Sequence, residues 1–201
     1  SPGTPVIVYD QNRFCAAARA WWMLRVAGHP DVRVLDGGLA AWRAAGGAVD
    51  RGLSLPTPAQ FTASPRRDLV ADLDDMIGAV DRGDTAILDA RPAERFEGRA
   101  PEPRPELPSG HMPGSANVPA SSLIRGDGRL RPRRELVQAL APKAPAGPVV
   151  TTCGSGVTAC ILALAMVEAG LGDPAVYDGS WSEWARDPAR PRQSGPSEAT
   201  P

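Results

Sequence analysis

A chain of 201 residues that is 42% hydrophobic and 22% charged can bury the core of one large or two small globular domains. Its formal net charge of −1 gives no electrostatic reason to expect nucleic acid or an anionic membrane as partner, and no apolar run reaches the ~18 residues of a membrane span. Three cysteines without a short paired spacing argue against a disulfide framework or a zinc site, so no metal or other cofactor is expected and a reducing compartment fits.

The opening Ser1-Pro2-Gly3-Thr4-Pro5 has neither the basic start nor the apolar core of a secretion signal, which makes the cytoplasm the expected location. Val6-Ile7-Val8-Tyr9 reads as a short buried parallel strand ending at Asp10. A largely buried helix is predicted from Cys15 to Val26, closed by Gly28 and Pro30. A strand at Val32 to Leu35, an Asp36-Gly37-Gly38 turn and a short helix from Leu39 to Ala45 follow. Residues 47–67, with prolines at 56, 58 and 65, read as a linker running alongside a domain.

A second unit opens at Leu69 to Asp72, with Asp74 as the expected cap of a helix over Asp75 to Asp81 and a strand at Ala86 to Asp89. The Gly- and Pro-punctuated segment Ser109 to Pro119 holds a short strand at Ala116 to Val118, and a helix is predicted over Pro132 to Leu140. Val149-Val150-Thr151-Thr152 then runs into Cys153, followed by Gly154-Ser155-Gly156-Val157-Thr158 and about three turns of small and aliphatic residues ending at Gly170. The tail from Asp187, proline-rich and poor in apolar residues, is expected to lack fixed structure.

The order strand, loop, helix places Cys153 at the carboxyl end of a strand. A loop curling round the sulfur aims backbone N–H groups at it, and the following helix adds the positive end of its dipole, so a thiolate is favoured there. A buried structural cysteine is the plain alternative; glycines on both sides of Ser155 favour function, because they leave room for a ligand above the sulfur. Cys15 and Cys160, each within a run of small apolar helix residues, are expected to be buried and inert.

The unit around Cys153 repeats the start of the chain. Asp10 stands where Cys153 stands, and the interval from Asp10 to Asp36 is 26 residues while that from Cys153 to Asp178 is 25. Trp42 has the same spacing from Asp36 that Trp184 has from Asp178. These features predict an α/β fold with a parallel sheet covered on both faces and ligands beyond the carboxyl ends of the strands.

Leu88-Asp89-Ala90-Arg91, Gly110 to Pro119, the loop Cys153 to Thr158 and Asp178-Gly179-Ser180-Trp181 together resemble the two-domain sulfurtransferases of the rhodanese superfamily, nearest to the 3-mercaptopyruvate sulfurtransferases. Trp21 to Arg25 and Leu35 to Gly38 resemble the inactive amino-terminal domain of that family. The resemblance implies a partial inactive rhodanese domain at 1–50, a linker at 51–67, a catalytic domain at 68–186 and an unstructured tail at 187–201. It further implies a persulfide on Cys153, loaded from 3-mercaptopyruvate or thiosulfate and passed to cyanide or a thiol such as thioredoxin.

Ser155 is then expected to position or activate the sulfur, its plainer role being that of a turn or cap residue. Gly154, Gly156, Val157 and Thr158 are expected to face the donor, with the neutral Gly-Ser-Gly favouring mercaptopyruvate over the dianionic thiosulfate. The resemblance places the two substrate arginines at Arg95 and Arg104, whose forks suit a carboxylate; otherwise they would be ordinary charges of a solvated loop. Arg91, Arg99 and His111 are read as structural. The acidic residue that mercaptopyruvate enzymes bring from the first half of their amino-terminal domain is absent from this chain, which is therefore expected to be a fragment. A cysteine-dependent phosphatase of the same architecture would need an arginine where Ala159 stands, and a silent docking module would be expected to lack the cysteine.

Overall fold

The computed structural model describes residues 4–11, 13–53, 55 and 57–197. The first three residues, Asn12, the linker residues Ser54 and Pro56, and 198–201 of the tail lie outside them. The chain opens with β1 (Val6–Val8), α1 (Cys15–Val26), β2 (Val32–Val34) and α2 (Gly38–Ala44). It continues through β3 (Val70–Ala71), α3 (Leu73–Arg82), β4 (Ala86–Asp89), α4 (Ala93–Phe96), β5 (Ser115–Asn117) and α5 (Arg133–Leu140). It closes with β6 (Val149–Thr152), α6 (Ala159–Ala169), β7 (Ala175–Tyr177) and α7 (Ser180–Trp184).

Five strands form one wholly parallel sheet in the order β3-β7-β6-β4-β5, and β1 pairs in parallel with β2 as a separate ribbon. Alternation along the strands sorts side chains to two faces. Leu88 and Val176 enter one core with α1, α5 and α6, whereas Ile87 and Tyr177 enter the other with Met76, Trp181 and Trp184. Helix α6 is apolar all round because it is sandwiched, with Ile161, Leu162, Leu164 and Met166 all buried; each such burial contributes roughly 1.5–3 kcal/mol.

Helix α1 joins the same core through Phe14, Ala18, Trp21 and Trp22, and the Trp22 indole N–H donates to Leu69 O at 2.9 Å. The ribbon and the larger sheet are thereby fixed to each other by packed helices. Ribbon strand β1 differs from the buried strand expected of Val6 to Tyr9. Ile7 and Tyr9 are 62% and 58% exposed, because β1 is paired on one side only and its outer face is uncovered in this chain.

Two further expectations are corrected. Helix α3 is capped by Asp72, not Asp74: the Asp75 N–H donates to Asp72 Oδ1 and the Asp72 N–H donates to Asp75 Oδ2, both at 3.0 Å, a reciprocal capping box. The tail is held in place over 187–197. Residues His111 and Gln193 exchange backbone hydrogen bonds of 2.9 Å, the Gly195 N–H donates to Glu97 O, and the Trp184 indole donates to Pro191 O. The tail lacks apolar anchors, but its backbone polar groups find fixed partners on the turn at 109–112 and on α7, which composition does not reveal.

In the stretch between α2 and β3 the described residues form no strand and only a single 3-10 turn, Arg67–Leu69. Ser64 and Arg66 donate their N–H groups to Ala27 O and Val26 O, and the Phe61 ring stacks on His29.

Candidate active site

Strand β6 lies inside the sheet, flanked by β7 and β4, and delivers Cys153 beyond its carboxyl end. The sulfur residue is only 2% exposed and forms the floor of a cavity of about 610 Å³. The other walls come from the same edge of the sheet: Arg91 and Arg95 after β4, Ala120 and Ser121 after β5, Ser182 after β7. A second cavity of about 600 Å³ between β2 and α5 is lined by several arginines but by no cysteine or serine, so no nucleophile of that kind stands there.

The loop after Cys153 is closed by the start of α7. The Trp181 N–H donates to Cys153 O and the Ser182 N–H to Gly154 O, both at 3.0 Å. Ser180 sits at the centre of this closure, wholly buried, at φ 53, a left-handed conformation that is uncommon for serine. Its Oγ accepts from the Cys153 N–H at 3.2 Å and from the Gly156 N–H at 2.9 Å. The single hydroxyl proton can go to Tyr177 O at 2.9 Å or to Cys153 Sγ at 3.9 Å.

A hydroxyl that the sequence reading did not assign to the site thus stands beside the sulfur, with Ser180 Oγ 3.9 Å from Cys153 Sγ. The Gly156 amide acts on the sulfur through that hydroxyl. Ser180 was visible in the sequence only as part of Asp178-Gly179-Ser180-Trp181. Its spacing from Asp178 matches that of Gly38 from Asp36, and a serine at a glycine position was the available signal.

Gly154, Ser155, Val157 and Thr158 line the cavity. Ser155 is exposed, and among the described residues its hydroxyl has no protein hydrogen-bond partner. Gly156 is not among the cavity-lining residues. It takes φ 77 against Asp178, where a Cβ would meet Asp178 Oδ1 at 2.3 Å, so close packing and a left-handed turn demand glycine there. The Gly156 carbonyl accepts from Arg19 of α1 at 3.4 Å, and Arg19 also pairs with Asp178. The first unit thus touches the loop after Cys153 directly.

Arg95 and Arg104 both line the cavity. Arg95 does not present a free fork: its Nε donates to Glu102 Oε1 at 3.2 Å and its Nη2 pairs with Glu102 Oε2. Glu102 also accepts from Arg91 Nη1 at 2.9 Å, and Arg91 is bound bidentately by Asp89 and stacked on the Trp181 ring. This buried network was invisible in sequence because Glu102 lies 11 positions from Arg91, on a different turn from Asp89 and Arg91. It holds Arg95 against the loop, with Nη2 at 2.9 Å from where a Cβ on Gly154 would lie. Arg104 donates to Ser182 Oγ, which donates to Gly154 O.

His111 is buried, stacked at 3.8 Å on Phe96 and bonded through Nδ1 to Phe96 O, and Arg99 pairs with Glu97 at the surface. Cys160 is buried in α6, where desolvation pushes its thiol up to about 12 against the opposing pull of Arg19. Cys15 departs from its expected place. It is the first residue of α1, only half-buried, and it lines the same cavity as Cys153. Among the described residues no group of His, Cys, Asp or Glu could hold a metal, and no helix is long and apolar enough to cross a membrane.

Comparison with known proteins agrees with this architecture. The family model described as a rhodanese-like domain matches residues 1–45 and 70–187. The chain is 41% identical to a probable 3-mercaptopyruvate sulfurtransferase of Pseudomonas aeruginosa over 194 residues, covering 94% of this chain and 68% of that protein. It is 39% identical to thiosulfate/3-mercaptopyruvate sulfurtransferase 2 of Arabidopsis thaliana, covering 92% of this chain and 61% of the relative, so it spans less than two thirds of that protein's length. The solved structure of SseA from Escherichia coli, described as a 3-mercaptopyruvate sulfotransferase, superposes with a TM-score of 0.77 at 36% identity, over 90% of this chain and 68% of that one. By motif, sheet order and these matches, the chain belongs to the rhodanese family.

Proposed function

We propose that this protein is a sulfurtransferase that moves a sulfane sulfur from 3-mercaptopyruvate, and less readily from thiosulfate, through a persulfide on Cys153 to a thiol or cyanide. The observation that carries this reading is the placement of Cys153 on the floor of a cavity whose walls hold Arg95 and Arg104. Relatives named for one or both donors support it.

In this mechanism the donor carboxylate binds between Arg104 and the part of Arg95 not engaged by Glu102, which brings the donor sulfur over Cys153. The Cys153 thiolate attacks that sulfur, its C–S bond breaks, and pyruvate leaves after taking up a proton at its methylene carbon. Ser155, exposed at the loop, is the hydroxyl available to the donor. Ser180 supports the sulfur from below as its charge changes. An acceptor thiolate then attacks the outer sulfur and regenerates Cys153. A small thiol or a protein thiol such as thioredoxin suits this step, in the cytoplasm.

The Gly154-Ser155-Gly156 loop adds no side-chain cation of its own, and one pair of arginines suits a single carboxylate better than a dianion. A thiosulfate-preferring enzyme is the second reading, favoured by the likeness to a relative named for both donors. Kinetics with both donors side by side test the proposal: the specificity constant is expected to be higher for 3-mercaptopyruvate. A higher value for thiosulfate would select the second reading, and inactivity with both would favour a docking module.

A further inference from the structure

Two thiols face one cavity. Cys153 is the floor, 2% exposed, at the end of β6; Cys15 opens α1 and is half-buried on another wall. They come from the two repeated units, so the juxtaposition exists only because α1 packs against α6. The mechanism above does not use Cys15. Burial first, then the Asp10 carboxylate and Cys153 itself, raise the Cys15 thiol above its ordinary value, so it rests protonated and does not compete for the donor.

A persulfide on Cys153 projects its outer sulfur about 2 Å further into the cavity, and Cys15, half-buried where Cys153 is 2% exposed, is the more accessible of the two thiols. We propose that Cys15 is a second sulfane-sulfur site, which takes the outer sulfur from the Cys153 persulfide and holds it where an acceptor thiol has easier access. The proposal rests on the persulfide reading given above.

The step is a thiol exchange and balances without any oxidant or reductant. Cys15 sulfur attacks the outer sulfur of the Cys153 persulfide, a new S–S bond forms on Cys15, and the old S–S bond breaks with its electron pair on Cys153. The proton of the Cys15 thiol passes to the Cys153 thiolate. The sulfane sulfur changes its carrier, not its oxidation state. A basic thiol such as Cys15, once deprotonated, is the stronger attacking partner in such an exchange.

The test loads the full chain with one equivalent of 3-mercaptopyruvate or thiosulfate without acceptor thiol, traps it with an alkylating agent and maps added sulfur by peptide mass spectrometry. Wild type is expected to show persulfide on both the Cys153 and the Cys15 peptides, Cys15→Ser on Cys153 alone, and Cys153→Ala on neither. Sulfur confined to Cys153 in wild type after prolonged incubation would overturn the relay and leave the persulfide reading intact. Sulfur on Cys15 in Cys153→Ala would overturn it by showing direct loading. A Cys15–Cys153 disulfide with release of sulfide would overturn it by showing attack on the inner sulfur. No sulfur on Cys153 in any variant would remove the underlying reading and the relay with it. The wild-type and Cys153→Ala samples decide the matter even if Cys15→Ser folds poorly; Cys15→Ala then serves as its replacement.

Discussion

The two repeated units place different atoms at the same point of one backbone plan. In the first, β1 ends at Asp10, whose carboxylate accepts the N–H groups of Phe14, Ala16 and Ala17 at 3.2, 2.9 and 2.9 Å. In the second, β6 ends at Cys153, and its loop amide at Gly156 is turned to Ser180 instead. The closing hydrogen bond is the same: Leu39 N–H to Asp10 O and Trp181 N–H to Cys153 O, each 3.0 Å. Even the left-handed residue before it is shared, Gly38 at φ 58 and Ser180 at φ 53.

In the proposed reading, only the second unit has the parts that sulfur transfer needs. Asp10 is an internal anion that already satisfies the start of its helix, and the space beside it is about 70 Å³. Cys153 has a polarisable nucleophile, a hydroxyl at 3.9 Å and a cavity of about 610 Å³ with arginines opposite. Ser180 keeps a backbone conformation that glycine would adopt freely, and in return puts an oxygen under the sulfur.

Replacing Cys153 with serine should make the largest change, reducing sulfur transfer from either donor to the uncatalysed rate in a cyanolysis assay. The comparison would break if the activity survived. Next is the carboxylate clamp: Arg104→Ala should lower kcat/KM for 3-mercaptopyruvate by about 1.5–3 kcal/mol, a charge-assisted hydrogen bond lost, with Arg104→Lys recovering only part. An unchanged specificity constant would make Arg104 a surface charge.

Ser180→Ala leaves the buried Cys153 and Gly156 N–H groups without their acceptor and should destabilise the fold by about 1–3 kcal/mol in denaturant unfolding. Ser180→Gly should destabilise less, because glycine is free at positive φ; equal losses would show that the left-handed backbone is unimportant. Asp10→Ala removes the helix-start acceptor of the silent unit and should destabilise by about 0.5–2 kcal/mol without ending sulfur transfer. The smallest effect is expected at Cys160: with its thiol pushed up to about 12 it stays protonated well below that pH, and iodoacetamide at neutral pH should leave it unmodified in the folded protein.

What was legible in the sequence was local. The run Val149 to Thr152 into Cys153, the glycines either side of Ser155 and the apolar length of α6 announce strand, loop and helix within one window, and the Asp-Gly spacings announce the repeat. What was not legible depends on segments far apart in the chain meeting. Ser180 reaches Cys153 across 27 positions and Arg19 reaches Gly156 across 137. Cys15 looked like a residue of an apolar helix because nothing local says that the start of α1 borders the cavity. Arg95 could be read as an ordinary charge of a solvated loop because nothing local shows that Glu102 closes on both Arg91 and Arg95. The tail likewise gains its order from backbone partners, not from its own composition.

The most direct measurement is a crystal structure of the Cys15→Ser protein, which should hold the sulfur at its first site, after a soak with 3-mercaptopyruvate. The account predicts one added sulfur on Cys153 Sγ, about 2.05 Å away, with the Asp10 carboxylate unmodified. An unmodified Cys153 in crystals that have consumed the donor, or sulfur bound at any other residue, would contradict it.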